Sequence, residues 1–189
     1  MTVVNDTCAI LMLVRICPDM FRDDRYGCVM LPEAYREYTR SARFKRQYPW
    51  RSEYRGSLRS LPQTKLAEHG YVEVLKYMRA SAERELDPST GKAYADELSM
   101  TDVKMAAAAY SLDAELCSGD GPLSRFAEDQ WEIGVLSPLA LVNRWIEGGL
   151  IEWTDERQAV LEDWVRQERP QPRKDIAEFQ RLTRRKYPR

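Results

Sequence analysis

Four acids in this 189-residue chain stand where an α/β protein does chemistry. Asp6 follows the apolar stretch Thr2-Val3-Val4-Asn5, and Glu37 lies one turn after Glu33, behind Cys28-Val29-Met30-Leu31. Asp102 sits three residues after Ser99 at the head of an alanine-rich run, and Asp120 ends the turn Ser118-Gly119-Asp120, eighteen residues further on. In a parallel sheet, the carboxyl ends of strands and the first turns of helices share one edge, where ligands bind. Carboxylates gathered there raise one another's pKa unless a cation neutralises them. An all-oxygen acidic set suits Mg²⁺ or Mn²⁺, and such a site can deprotonate a water for in-line attack on a phosphodiester. Helix capping and turn formation explain Asp102 and Asp120 one at a time without any function.

Other chemistries are poorly provided for. The single histidine, His69, has no acid or cysteine at ligand spacing and reads as a surface or packing residue, which disfavours a zinc finger or a Ser-His-Asp site. Cys8, Cys17, Cys28 and Cys117 lack C-x-x-C spacing and read as buried, reduced thiols of a cytoplasmic protein. The longest apolar run, Ala9 to Val14, is too short to span a bilayer, so neither a membrane segment nor a secretory signal is expected.

The elements that would position the acids follow from local pattern. Short strands are expected at 2–5, 28–31, 114–117 and 133–136. A helix over Cys8–Ile16 takes Asp6 or Thr7 as its cap, and Pro32 suits the first position of the helix that carries Glu37. Helical spacing runs from Thr64 to Leu86 with an interruption at Gly70, followed by a loop at Asp87-Pro88-Ser89-Thr90-Gly91. Ser99 and Asp102 form a capping box. Pro122 opens a helix to about Trp131, Ser137-Pro138 opens another to Glu147 closed by Gly148-Gly149, and Thr154 opens a third.

Two regions are strongly basic. From Arg36 to Arg59, Arg40, Arg43, Lys45, Arg46, Arg51 and Arg55 alternate with Tyr38, Phe44, Tyr48, Trp50 and Tyr54, the composition of a single-stranded RNA surface. The competing reading is a solvated helix face with its rings turned inward. Beyond Arg169 the chain carries Arg173, Lys174, Arg181, Arg184, Arg185, Lys186 and Arg189, either as a docked helix or as a mobile arm for RNA or a partner.

In Val3-Val4-Asn5-Asp6-Thr7, Leu31-Pro32-Glu33-Ala34-Tyr35-Arg36-Glu37, Leu98-Ser99-Met100-Thr101-Asp102 and Cys117-Ser118-Gly119-Asp120, the sequence resembles the PIN-domain family of metal-dependent ribonucleases. The resemblance covers about residues 2 to 140. It implies a three-layer α/β/α fold with a central parallel sheet of four to five short strands, plus C-terminal helices. It also implies catalysis by Asp6, Glu37, Asp102 and Asp120, with Mg²⁺ or Mn²⁺ on the same four and Thr7 or Ser118 as a helper hydroxyl. Arg40, Arg43, Lys45, Arg46, Trp50, Arg51 and Arg55 are the expected RNA contacts. The domain would span 1–140, with a basic and aromatic insertion at about 41–63, and 141–189 would be a helical extension. The segment between Glu37 and Asp102 is longer than in compact toxins of this family. A non-catalytic RNA- or protein-binding module, and a toxin held by an antitoxin, are the alternatives; a homodimer fits either.

Overall fold

The computed structural model describes residues 1–167 and 171–188. Strands β1 (Val3–Asn5), β2 (Cys28–Val29), β3 (Glu115–Cys117) and β4 (Val135–Leu136) form one sheet in the order β2-β1-β3-β4, every pair parallel. The register sets Val3 beside both Cys28 and Glu115, and Cys117 beside both Asn5 and Leu136. Two strands are shorter than their apolar runs. Met30 leaves the ladder to accept from the Leu61 N–H at 2.8 Å, and Ile133 donates instead to the Ala127 carbonyl at 3.0 Å.

Helix α1 (Thr7–Ile16) starts at the carboxyl end of β1 and is buried on nearly every side, as its unbroken apolar run requires. It is followed by α2 (Pro32–Arg40) and α3 (Ala42–Gln47), then by a 3-10 segment, Pro49–Ser57. Gly70, at φ +70°, divides the long periodic stretch into α4 (Gln63–Glu68) and α5 (Tyr71–Arg84), a backbone conformation that favours glycine. A bridge between Leu86 and Ala93 closes the following loop, and α6 (Tyr94–Glu97) leads into α7 (Met100–Ser111). Ala106 to Ala109 are wholly buried in α7, which packs on β1, β3 and α5, while α1 packs on α2 and later helices.

After β3, α8 (Gly121–Arg125) widens into a π-turn, Phe126–Gln130, rather than continuing as a regular helix. Helices α9 (Pro138–Glu147), α10 (Asp155–Gln167) and α11 (Arg173–Thr183) complete the chain. The architecture is α/β, mostly helical around a four-stranded parallel sheet, and is compatible with three layers. No helix among the described residues is long and apolar enough to cross a membrane.

Of the two options for the tail, the docked helix is the one found. Phe179 of α11 is wholly buried edge-on against Trp153, and the Asn143 side-chain amide donates to the Asp175 carbonyl at 2.8 Å. Arg181 pairs with Glu147 and Glu178, and Arg185 with Asp155, so part of the basic charge is met within the fold. Arg189, the last of the basic series, lies outside the described residues.

Candidate active site

Backbone pairing continues one residue past the sheet. The Asp6 N–H donates to the Cys117 carbonyl at 3.1 Å and the Ser118 N–H to Leu136 at 3.0 Å, which fixes Asp6 and Ser118 side by side at the carboxyl edge. Asp6 then caps α1: its Oδ1 accepts from the Ala9 N–H at 2.5 Å, and its Oδ2 accepts from the Ser118 hydroxyl. Asp120 caps α8, accepting from Leu123 N–H at 3.0 Å, while its own N–H donates to Ser118 Oγ at 3.0 Å. One serine thus ties two of the acids together.

The other two acids come from helices. Asp102 completes a capping box with Ser99, accepting from the Ser99 N–H at 2.8 Å and donating its own N–H to Ser99 Oγ at 3.2 Å. Glu37 of α2 accepts from the Thr7 hydroxyl at 2.6 Å. Glu33, one turn earlier, is instead engaged by Lys104 at 3.0 Å and Arg36 at 3.1 Å. Burial alone would raise the Glu33 carboxyl, but those two cations hold it below the usual range.

The electrostatics of the edge differ from those of an ordinary set of caps. Asp6 is 6% exposed, and burial, with smaller contributions from the charges of Asp102 and Asp120, pushes its pKa up to about 7 despite the hydrogen bonds from Ser118 and Ala9. Asp102 is also raised, by burial first and then by Asp120 and Glu37, against the capping bonds of Ser99. Asp6 thus lies in the field of Asp102 and Asp120, and Asp102 in that of Asp120 and Glu37, although the acids come from four separate segments.

The donors are all carboxylate or hydroxyl oxygens, chemistry that fits a hard divalent cation. As the side chains stand, no three His, Cys, Asp or Glu residues among the described ones are set to hold one ion jointly. Each carboxylate is hydrogen-bonded instead to a backbone N–H or a hydroxyl.

A cleft of about 510 Å³ opens beside this edge. Ser118 and Asp120 line it on the sheet side, Cys8 at the first turn of α1, Arg43 from α3, and Lys174 and Asp175 from α11. Cys8 is exposed and Cys28 partly so, correcting the expectation of four buried thiols; Cys17 and Cys117 are buried. The first turn of α1 faces this cleft, which is why an apolar run leaves its second residue in solvent.

The basic and aromatic segment also needs correction. Tyr38, Phe44 and Tyr48 are buried, and Tyr35, Trp50 and Tyr54 pack against the core, so the rings serve the interior rather than an open stacking surface. Trp50 meets Tyr48 and Tyr54 edge-on and carries the Arg15 guanidinium 4.7 Å from its ring centre. Arg51 is buried and donates to the Tyr38 carbonyl, while the Tyr38 hydroxyl donates back to the Arg51 carbonyl at 3.0 Å. Its guanidinium is therefore used inside the fold, which removes it from the expected surface contacts. Arg40, Arg43, Lys45, Arg46 and Arg55 are exposed. His69 is exposed as well, at the end of α4.

Sequence reasoning missed Lys174 and Asp175 as cleft residues. Asp175 is buried and accepts from the Ser137 hydroxyl at 2.7 Å across 38 positions of chain, a relation no local pattern announces. No family model, curated protein or solved structure matches this chain.

Proposed function

We propose that the chain is an Mg²⁺- or Mn²⁺-dependent endoribonuclease with a PIN-like, three-layer fold. The observation that carries the reading is Asp6, a buried carboxylate at the carboxyl edge of a parallel sheet, held against the charges of Asp102 and Asp120. Asn or Ser would cap α1 at least as well without burying a charge, so capping alone does not account for an acid there.

Asp6, Asp102 and Asp120 would hold the cation, with Glu37 completing the site. When bound, the ion lowers the pKa of an attacking water and offsets charge on the phosphodiester. Ser118 keeps Asp6 and Asp120 in register, and Thr7 orients Glu37. Exposed Arg40, Arg43, Lys45, Arg46 and Arg55 offer phosphate contacts.

The test uses Asp102→Asn and Asp120→Asn, which keep shape and remove charge. Each is expected to abolish Mn²⁺-dependent cleavage of an unstructured RNA, with Tm unchanged or higher in EDTA because repulsion is relieved. Purely structural acids would leave activity intact, and because Asn caps a helix about as well as Asp, Tm would change little with or without metal. Full activity in Asp102→Asn, or cleavage unaffected by EDTA, ends the nuclease reading. A second reading, a non-catalytic RNA-binding module, is favoured by the way each carboxylate is satisfied locally without three converging. Retained RNA binding without cleavage in any metal would select it. The toxin alternative concerns the biological setting of the same chemistry.

A further inference from the structure

The cleft of about 510 Å³ shares Ser118 and Asp120 with the acidic edge, so the two are contiguous. Its volume lies within the range of small-ligand sites, roughly 300–1,000 Å³. Two cations far apart in sequence reach it, Arg43 on α3 and Lys174 on α11, and both residues are exposed. Glu128 and Asp175 also line it. With Asp120 they outnumber the cations, so a phosphate is directed away from them and toward Arg43 and Lys174. Carboxylates accept hydrogen bonds from base N–H groups, as happens when unstacked bases of single-stranded RNA are read on their edges. The α11 wall is fixed in place by buried Phe179 and by the Ser137–Asp175 hydrogen bond.

We infer that this cleft seats one nucleotide of a single-stranded RNA next to the acidic edge, its phosphate between Arg43 and Lys174, which makes the C-terminal helix one wall of the substrate site. The inference rests on the RNA reading above and concerns where the strand lies, not whether it is cut.

Binding of a short fluorescent single-stranded RNA to the full chain, followed by anisotropy in EDTA across a salt series, tests it without requiring cleavage. Arg43→Ala and Lys174→Ala should each weaken binding several-fold and reduce the log–log salt slope by about 0.7 for each phosphate no longer neutralised. Ala140→Phe, which adds bulk to the cleft lining without changing charge, should weaken binding with little change in slope. Lys65→Ala, on exposed α4 outside the cleft, should bind as the parent does. Unchanged affinity and slope in Arg43→Ala and Lys174→Ala, with circular dichroism confirming their folding, overturns the inference. If the parent cuts RNA in Mn²⁺ and the cleft variants bind normally, the strand lies elsewhere and the nuclease reading stands. If the parent never cuts but the cleft variants lose binding, the nuclease reading falls and the cleft assignment holds.

Discussion

Two carboxylates in this molecule are withdrawn from water and treated in opposite ways. Asp87, in the loop after α5, is wholly buried and clasped by the Arg125 guanidinium through three hydrogen bonds, with the Ser89 N–H at 2.8 Å and hydroxyl at 2.7 Å completing its shell. Arg125 holds that carboxyl well below the usual range. Asp6 is met by a hydroxyl, an N–H and the field of two further acids, and it is raised to about 7. A buried acid with its own cation fastens a loop to the body of the fold. A buried acid placed among other acids costs stability as an anion, and a bound cation would recover that cost. The contrast separates a structural use of buried charge from one that calls for a ligand.

The largest loss is expected where the clasp is broken. Arg125→Ala leaves Asp87 buried without its cation, and thermal melting at pH 7 should show a greater fall in Tm than any other of these single substitutions. Because the Asp87 pKa is lowered in the folded state, its contribution is present above the unfolded value of 3.8 and fades as pH falls below it. The Tm gap between parent and Arg125→Ala should therefore narrow in acid. An equal gap at pH 7 and pH 3 would mean that Arg125 acts only through packing.

Asp6 should behave the other way. Its folded pKa of about 7 exceeds the 3.8 of the unfolded chain, so the folded protein keeps a proton that the unfolded chain releases. In EDTA, stability should fall as pH rises from about 4 to 7 and level off above, by up to about 4 kcal/mol at about 1.4 kcal/mol per pKa unit. Asp6→Asn should flatten that slope and be the more stable protein at pH 8. Mn²⁺ should restore the parent at pH 8 and leave Asp6→Asn little changed. Denaturant titrations at pH 5 and pH 8, with and without Mn²⁺, read all of this, and parallel pH profiles for the two proteins would remove the basis for treating Asp6 differently from a cap.

How far the sequence disclosed this contrast depends on the distance between partners. Asp6 at a strand end, the Ser99–Asp102 box and the break at Gly70 are local, and all three stand where local rules put them. The sheet order was beyond reach, since strands of two or three residues carry almost no pairing information. The rings between Tyr35 and Tyr54 were ambiguous because alternation with arginine suits an RNA surface and an inward-packed face equally; packing against α1 decided for the interior. The Asp87–Arg125 clasp spans 38 positions and Ser137–Asp175 another 38, so neither the structural acid nor the far wall of the cleft left a local trace.

The smallest expected effect sharpens the comparison at the site itself. Cys8 is the second residue of α1, two positions after Asp6, and it is exposed on the cleft, while Cys117 is buried on the strand beside Asp6. Burial pushes the Cys117 thiol well above its ordinary value, and a thiol attacks only as thiolate. With a thiol reagent on the native protein at pH 8, Cys8 should react first, Cys28 more slowly, and Cys17 and Cys117 only after unfolding. The substitutions that disturb the two buried acids then predict different footprints. Arg125→Ala frees the Asp87 loop and should leave the order of labelling unchanged in the folded fraction. Asp6→Asn acts at the N-cap of α1 and should change the Cys8 rate alone, by a few-fold at most, because Asn preserves the cap. Peptide mapping after brief alkylation measures this, and early modification of Cys117 in the parent would show that the carboxyl edge opens to solvent and that Asp6 is not held in a buried site.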